Sequence, residues 1–326
     1  MLVFLLLLFI LGDFQKQKLY AGSGVTSQVN SSTLSPGQHM VVSPSGDEIY
    51  LFDPQSRHAQ TISSLTGSII YTFSYNTAGL LSSIQDASGN STTFNRNGSG
   101  QLLSVQGPYG QTTSFTLNSD NLITSVTNPK SEVYSMTYYP GTELLKTFTK
   151  PSGRVSTFTY DAIGRIAKDS ANAGDFKEFL RVLGESNESI SQTTALGRTS
   201  SYANAKNVSG ATISTTKPSG AVTTTSSGQA YSYRIETGVT SSFNSVNDER
   251  LPGYRRPSTA SVTIAGVNSS TTYAQTLSPS APTDLFTFTS VTKSTTINGN
   301  TWSTVFDAAL KKFTTTSPQG ATSQTG

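Results

Sequence analysis

Apolar side chains recur along this chain in short alternating runs. In Ile69-Ile70-Tyr71-Thr72-Phe73-Ser74-Tyr75 the residues at 69, 71, 73 and 75 share one face of an extended chain, because successive side chains of a strand point to opposite faces. Asn76-Thr77-Ala78-Gly79 then reads as a tight turn, Leu80-Leu81-Ser82-Ser83-Ile84 as a second strand, and Asp86-Ala87-Ser88-Gly89-Asn90 as another turn. Two strands and two turns make a β-hairpin unit. The unit repeats: Gly79-Leu80-Leu81, Gly100-Gln101-Leu102-Leu103, Asn121-Leu122-Ile123, Leu144-Leu145 and Gly164-Arg165-Ile166 end in apolar residues at 81, 103, 123, 145 and 166, with gaps of 22, 20, 22 and 21. A regular period in this range is the mark of a repeat architecture.

The second turn often takes the form Pro-x-Gly, at Pro108-Tyr109-Gly110, Pro151-Ser152-Gly153, Pro218-Ser219-Gly220 and Pro318-Gln319-Gly320. Proline presets φ and glycine accepts the positive φ that such turns need. The pattern reaches the last residues, so the expectation is clear repeats over 69–170 and degenerate ones over 171–326. Only Asp175–Leu183 has a helical option, and its alternation of Phe176, Leu180 and Val182 favours a strand. A seam or insertion is expected at Ala195–Ser227, where aromatic residues nearly vanish. The fold class is all-β, built of antiparallel β-hairpin repeats.

Composition agrees. Ser and Thr number 99, charged residues make up 13%, and 16 Phe with 14 Tyr argue against a disordered chain. Leu2 to Leu11 is an unbroken apolar run, about 15 Å long as a helix and so about half of a bilayer core. It reads, with Ala21-Gly22-Ser23, as a signal peptide or hydrophobic N-terminal segment over 1–23, although its start lacks Lys and Arg. A Ser/Thr/Gly-rich linker is expected at 24–42 and the repeat region at 43–326. Asn-x-Ser/Thr sequons at Asn30, Asn90, Asn97, Asn187, Asn207 and Asn268 are candidate glycan acceptors in a secreted chain; chance alone explains their number.

Catalytic chemistry is sparse. The chain has no cysteine, which removes disulfides and thiol chemistry, and its two histidines, His39 and His58, belong to no metal or triad pattern. Asp47, Asp53, Asp86 and Asp120 are dispersed. The net charge of +3 comes from scattered basic residues, paired only at Arg255–Arg256 and Lys311–Lys312, which speaks against a nucleic-acid partner. No cofactor, small-molecule substrate or enzymatic activity is expected, and a β-helix lyase or hydrolase would need a carboxylate cluster that the sequence does not supply.

Phe158-Thr159-Tyr160-Asp161-Ala162-Ile163-Gly164-Arg165-Ile166 resembles the signature of YD (Rhs-type) repeats: Tyr-Asp, two residues, Gly-Arg and an apolar residue. A degenerate copy lies at Phe306-Asp307-Ala308-Ala309-Leu310-Lys311-Lys312, while Gly46–Asp53 with Tyr71–Tyr75, and Ile297–Trp302, are similar to teneurin segments. The resemblance implies part of a spiralling, curved β-shell, in which Tyr160, Asp161, Gly164, Arg165 and Ile166 are structural: the Tyr packs and bonds along the shell, and the Asp starts the turn. It further implies a secreted protein or one on the extracellular face of the plasma membrane, acting in cell–cell adhesion or recognition. The alternative it implies is an Rhs-type shell that encloses a toxin or other cargo. EGF-like repeats, a propeller and most of the shell are missing, so the chain reads as a fragment. A partial shell leaves an open sheet edge, where the rest of the shell or another chain is expected to pair, with low solubility as the consequence. A cell-surface protein or glycan is the expected ligand class.

Overall fold

The computed structural model describes residues 35–207, 210–226, 230–235, 239–251, 254–279 and 285–325. The hydrophobic segment 1–23, Asn30 and most of the expected linker lie outside the described residues. Every described element is a strand. The first are β1 (His39–Val42), β2 (Glu48–Phe52), β3 (His58–Ser63), β4 (Ile69–Tyr75), β5 (Leu81–Asp86), β6 (Ser91–Arg96), β7 (Leu102–Gln106), β8 (Thr112–Leu117), β9 (Ile123–Thr127), β10 (Val133–Tyr138), β11 (Leu145–Thr149), β12 (Val155–Tyr160) and β13 (Ile166–Ala171). Most of those that follow are longer: β14 (Phe176–Leu183), β15 (Asn187–Thr194), β16 (Thr199–Asn207), β17 (Gly210–Thr216), β18 (Val222–Ser226), β19 (Ala230–Ile235), β20 (Val239–Asn247), β21 (Arg255–Ile264), β22 (Val267–Ser278), β23 (Ser290–Ile297), β24 (Asn300–Asp307), β25 (Lys312–Thr316) and β26 (Thr322–Thr325). Each pairs antiparallel with the strand before and after it, giving one meander from β1 to β26. The strand favoured for Asp175–Leu183 is β14.

One expectation is corrected. Pairing runs from strand to strand through β15–β18, so among the described residues of 195–227 no seam interrupts the sheet. Aromatic residues are not needed there, because the backbone ladder is complete and hydroxyls pair across strands, as in Thr193–Thr199 at 2.9 Å and Ser214–Thr224 at 3.2 Å. β1 lies at His39–Val42, and its Met40 and Val42 pack against a core containing Ile49 and Ile62.

The repeat is more regular in the structure than in the sequence. The strands that open the second half of each unit begin at Leu81, Leu102, Ile123, Leu145 and Ile166, at gaps of 21, 21, 22 and 21. The marker in the second unit is therefore Leu102, which is buried, rather than Leu103, which is 44% exposed. The reason is a bulge. Tyr75 faces Leu81 while Ser74 faces Ser83, so Ser82 is the extra residue. Ala59, Leu103, Thr124, Lys146 and Ala167 are skipped in the same way. Each bulge adds local twist, bending the sheet once per hairpin. The single gap of 22 arises where the turn at Tyr139–Leu144 holds one more residue than its counterparts. Within each unit one cross-strand pair recurs: Phe73↔Ile84, Phe94↔Val105, Phe115↔Val126, Met136↔Phe148, and finally Phe158↔Asp169.

Because the strands alternate in direction, the turns line two edges. The first edge carries the turns at 53–57, 76–80, 97–101, 118–122, 139–144, 161–165 and 184–187; the second carries those at 86–90, 107–111, 128–132, 150–154, 171–175, 194–198 and 217–221. Among the described residues the two edges meet at one junction. First-edge residues that follow β20 and β22 reach the second-edge turns beside β2 and β3, where Leu251 and Leu285 join Ile49 and Ile62 in one buried cluster. Phe288, Val291 and Phe306 form another, with Leu65 against it.

Candidate functional site

The family signature is one turn. Asp161 Oδ1 accepts the backbone N–H of Ile163 (3.1 Å) and of Arg165 (2.9 Å), and Oδ2 accepts Arg165 Nε at 2.8 Å. Gly164 sits at φ +81° and donates its N–H to Asp161 O, a left-handed position that an L side chain resists. The Arg165 backbone and then its guanidinium hold the Asp161 carboxyl below the usual carboxylate range. Ile166 opens β13 opposite Tyr160. Tyr160 reaches backwards, donating its hydroxyl to Leu145 O at 2.7 Å and meeting Tyr139 edge-on.

That backward bond recurs. Tyr75 donates to His58 O at 2.8 Å and Tyr138 to Ile123 O at 2.7 Å, in each case the first residue of the strand in the preceding hairpin. At the equivalent place in the next repeat Arg96 substitutes, its Nε lying 3.4 Å from Leu81 O. Leu117 occupies that place in the following repeat and has no side-chain donor. Replacing Tyr160 by Phe is expected to cost about 1 kcal/mol, and the Tyr138→Phe change the same, because each leaves a main-chain carbonyl without its donor. Urea midpoints of the single and double variants check this, with additive losses expected from two separate sites.

A second complete turn of this kind escaped the sequence reading. In Phe52-Asp53-Pro54-Gln55-Ser56-Arg57, Asp53 accepts the N–H of Gln55 and Arg57 at 2.9 Å each and Arg57 Nε at 2.8 Å, while Arg57 lies over the Tyr75 ring at 4.8 Å. Ser56 at φ +60° stands where glycine does elsewhere, which hid the match; the Asp and Arg four residues apart were the available signal. At the degenerate copy Asp307 accepts the N–H of Ala309 and Leu310, and Phe306 is buried.

Both histidines lie in an aromatic ladder across β1–β4. His39 stacks on Phe52 (4.8 Å), Phe52 on His58 (5.3 Å), and His58 on Phe73 (4.0 Å). His58 Nε2 is 3.1 Å from Gln60 O and from Thr61 Oγ1, and burial pushes its pKa below the ordinary 6.5. The unfolded chain therefore takes up the proton first. The full contribution to stability is present above pH 6.5 and is lost as pH falls from there through the lowered folded value. We expect a His58→Gln variant to show a flatter dependence of the denaturation midpoint between about pH 7 and 5 than the parent; an unchanged slope would refute this assignment.

Candidate glycan acceptors separate by environment. Asn187 and Asn268 are exposed. Asn90 donates Nδ2 to Asp86 Oδ2 at 2.9 Å, and Asn97 accepts from the N–H of Ser99 and Gln101, so both are engaged in turns. Among the described residues, no three His, Asp or Glu side chains gather as metal ligands.

Where the edges meet, Arg250 crosses from one to the other. Its side chain is 2% exposed, its Nη1 donates to Ser64 O at 3.0 Å, and its guanidinium lies over Phe288 at 5.4 Å. Asp248 shapes the loop, accepting the N–H of Arg250 and Leu251 and, on Oδ2, Gln275 Nε2 at 3.0 Å. Tyr254 donates its hydroxyl to Ser45 O at 2.8 Å. No sequence signal marks these residues as partners, since Arg250 and Ser64 are 186 positions apart.

Comparison with known proteins adds the following. The Teneurin YD-shell family model matches residues 36–320. Mouse Teneurin-3 is 28% identical over 126 residues and human Teneurin-1 25% over 139, covering 39% and 43% of this chain. The matched stretch spans only 5% of the length of either relative. Among solved structures, the crystal structure of TcdB2-TccC3 superposes with a TM-score of 0.44 at 11% identity, covering 88% of this chain and 19% of that one.

Proposed function

The chain belongs to the teneurin YD-shell family, and from that premise we propose that it is a non-catalytic structural and interaction module of a teneurin-like cell-surface or secreted protein, contributing to cell–cell adhesion or recognition. One observation supports this reading above the others: the residues with the most distinctive chemistry, Tyr160, Asp161 and Arg165, with Asp53 and Arg57, bond the backbone and one another within and between hairpins. Their chemistry holds a scaffold. A β-hairpin cannot bury its apolar face alone, so each unit leans on its neighbours and the array presents edges for partners. The outer sides of β1 and β26 carry backbone groups unpaired within the described sheet, which suits pairing with the rest of a shell or with another chain. A cell-surface protein or glycan is the proposed ligand class, with Asn187 and Asn268 as the favoured glycan acceptors.

The test is to tether the full chain on non-adherent cells and score clustering, alongside a turnover assay on a panel of glycans. Clusters with no glycan turnover are expected. Hydrolysis of any glycan, or cells that stay single when carrying well-folded surface protein, would overturn the reading.

A further inference from the structure

Basic residues that look scattered along the sequence converge in space, because the meander brings the chain back to the same edge about every 21 residues. The five second-edge turns between 128 and 221 carry Lys130, Lys150, Arg154, Arg198 and Lys217 against Glu132 and Asp175, all exposed. The four first-edge turns between 118 and 187 carry Asp120, Glu143, Asp161 and Glu185 against Arg165. The same strands generate both lines of charge, so both have the same spacing, about 10 Å for two strand widths. A groove of about 510 Å³ opens between the second-edge turns, with four cations, Lys150, Arg154, Lys177 and Arg198, and two carboxylates, Asp169 and Asp175, among the residues around it. Arg154–Asp175 at 3.3 Å is the one ion pair formed among those six.

The molecule already joins one edge to the other, where Arg250 and Tyr254 bond the carbonyls of Ser64 and Ser45. That junction ends near β3, while the basic part of the second edge continues beyond it. We propose that the basic second edge over β9–β18 is a docking surface for the acidic first edge of a second copy of this chain, with the Glu143 or Glu185 turn entering the groove. The proposal rests on the interaction-module reading above. Charge complementarity at equal spacing, and continuity with an edge-to-edge junction of the same sense, favour this occupant. A nucleic acid is disfavoured because Phe176, the one aromatic ring lining the groove, is half-buried and already carries Lys168 over a face at 4.2 Å, so the groove offers no series of rings for successive bases to stack on. Contact through turn tips is narrow, so the association belongs to the weak, transient class. Being head-to-tail, it propagates instead of closing as a dimer.

Sedimentation velocity of the full chain tests this. The average mass is expected to rise with concentration at low salt and to fall towards the monomer near 1 M salt, where the screening length shrinks to about 3 Å. Lys150→Glu with Arg198→Glu, or Glu143→Lys with Glu185→Lys, is expected to weaken association about tenfold. An equimolar mixture of the two double variants should associate again, since each edge then meets its opposite on the other molecule. Association that ignores salt and both variants would mean strand-edge pairing and overturn the proposal, as would a monomer under all conditions. An effect of the second-edge variant alone, together with retention on an immobilised oligonucleotide, would assign that edge to a polyanion instead. Charge-swap rescue does not depend on cell clustering, so failure here and failure of the adhesion reading are separable.

Discussion

An Arg250→Ala variant should unfold with about 3–5 kcal/mol less stability than the parent. The guanidinium is buried and bridges two parts of the chain 186 residues apart through its bond to Ser64 O, with the Phe288 ring beneath it. Truncation removes the donor from a buried carbonyl, leaves Asp248 without its neighbouring cation and opens space beside Phe288. Arg250 Nε has no hydrogen-bond partner of its own and lies 3.9 Å from Asp248 Oδ1, so part of the cost of burying this cation is already present in the folded protein. Arg250→Met, which keeps much of the volume without the charge, should therefore lose clearly less than Arg250→Ala. The signature goes beyond a lower midpoint. In a repeat array each hairpin depends on its neighbours, and a junction between distant repeats couples their unfolding. Calorimetry is expected to show the Arg250→Ala transition broadening or splitting, with the 39–75 hairpins melting apart from those after β20. An unchanged single transition would show that the junction carries no coupling.

Gly46→Ala should act on the same junction from the other side. Gly46 has φ +75°, and a Cβ built there would lie 2.3 Å from the Tyr254 ring, whose hydroxyl bonds Ser45 O at 2.8 Å. Forcing an alanine into the left-handed region costs about 1–2 kcal/mol. Displacing a packed ring costs about 1–3 kcal/mol more. The sum, on the order of 3 kcal/mol, should be smaller in a Tyr254→Ala background, where only the conformational part is left. That double-mutant comparison separates the two terms, and equal losses in both backgrounds would show that Tyr254 does not press on Gly46 in solution.

The hairpin repeat and the signature turn were readable because both are local. An Asp that accepts N–H groups two and four residues ahead, a glycine at positive φ and an alternation of period two act within one hairpin. Asp161, Gly164 and Arg165 show this plainly. The second copy at Asp53–Arg57 was missed because Ser56 adopts the φ that glycine usually takes, and the second repeat marker was placed at Leu103 instead of Leu102 because the sequence does not show which of the two leucines the bulge skips. The Ser/Thr-rich strands β16, β17 and β18 hold a single aromatic residue, Tyr202, yet they pair through the same backbone ladder.

By itself, then, the sequence determined the all-β class, the period near 21 residues, the turn chemistry and the family signature, all of which depend on neighbours within one or two hairpins. The tertiary structure alone decided that Arg250 meets Ser64, that Leu251 and Leu285 cover Ile49, and that scattered lysines and arginines form one basic edge. Those contacts depend on how small twists, one bulge per repeat, add up around the sheet. A local pattern fixes each increment, but it does not show where the accumulated curve brings distant residues together.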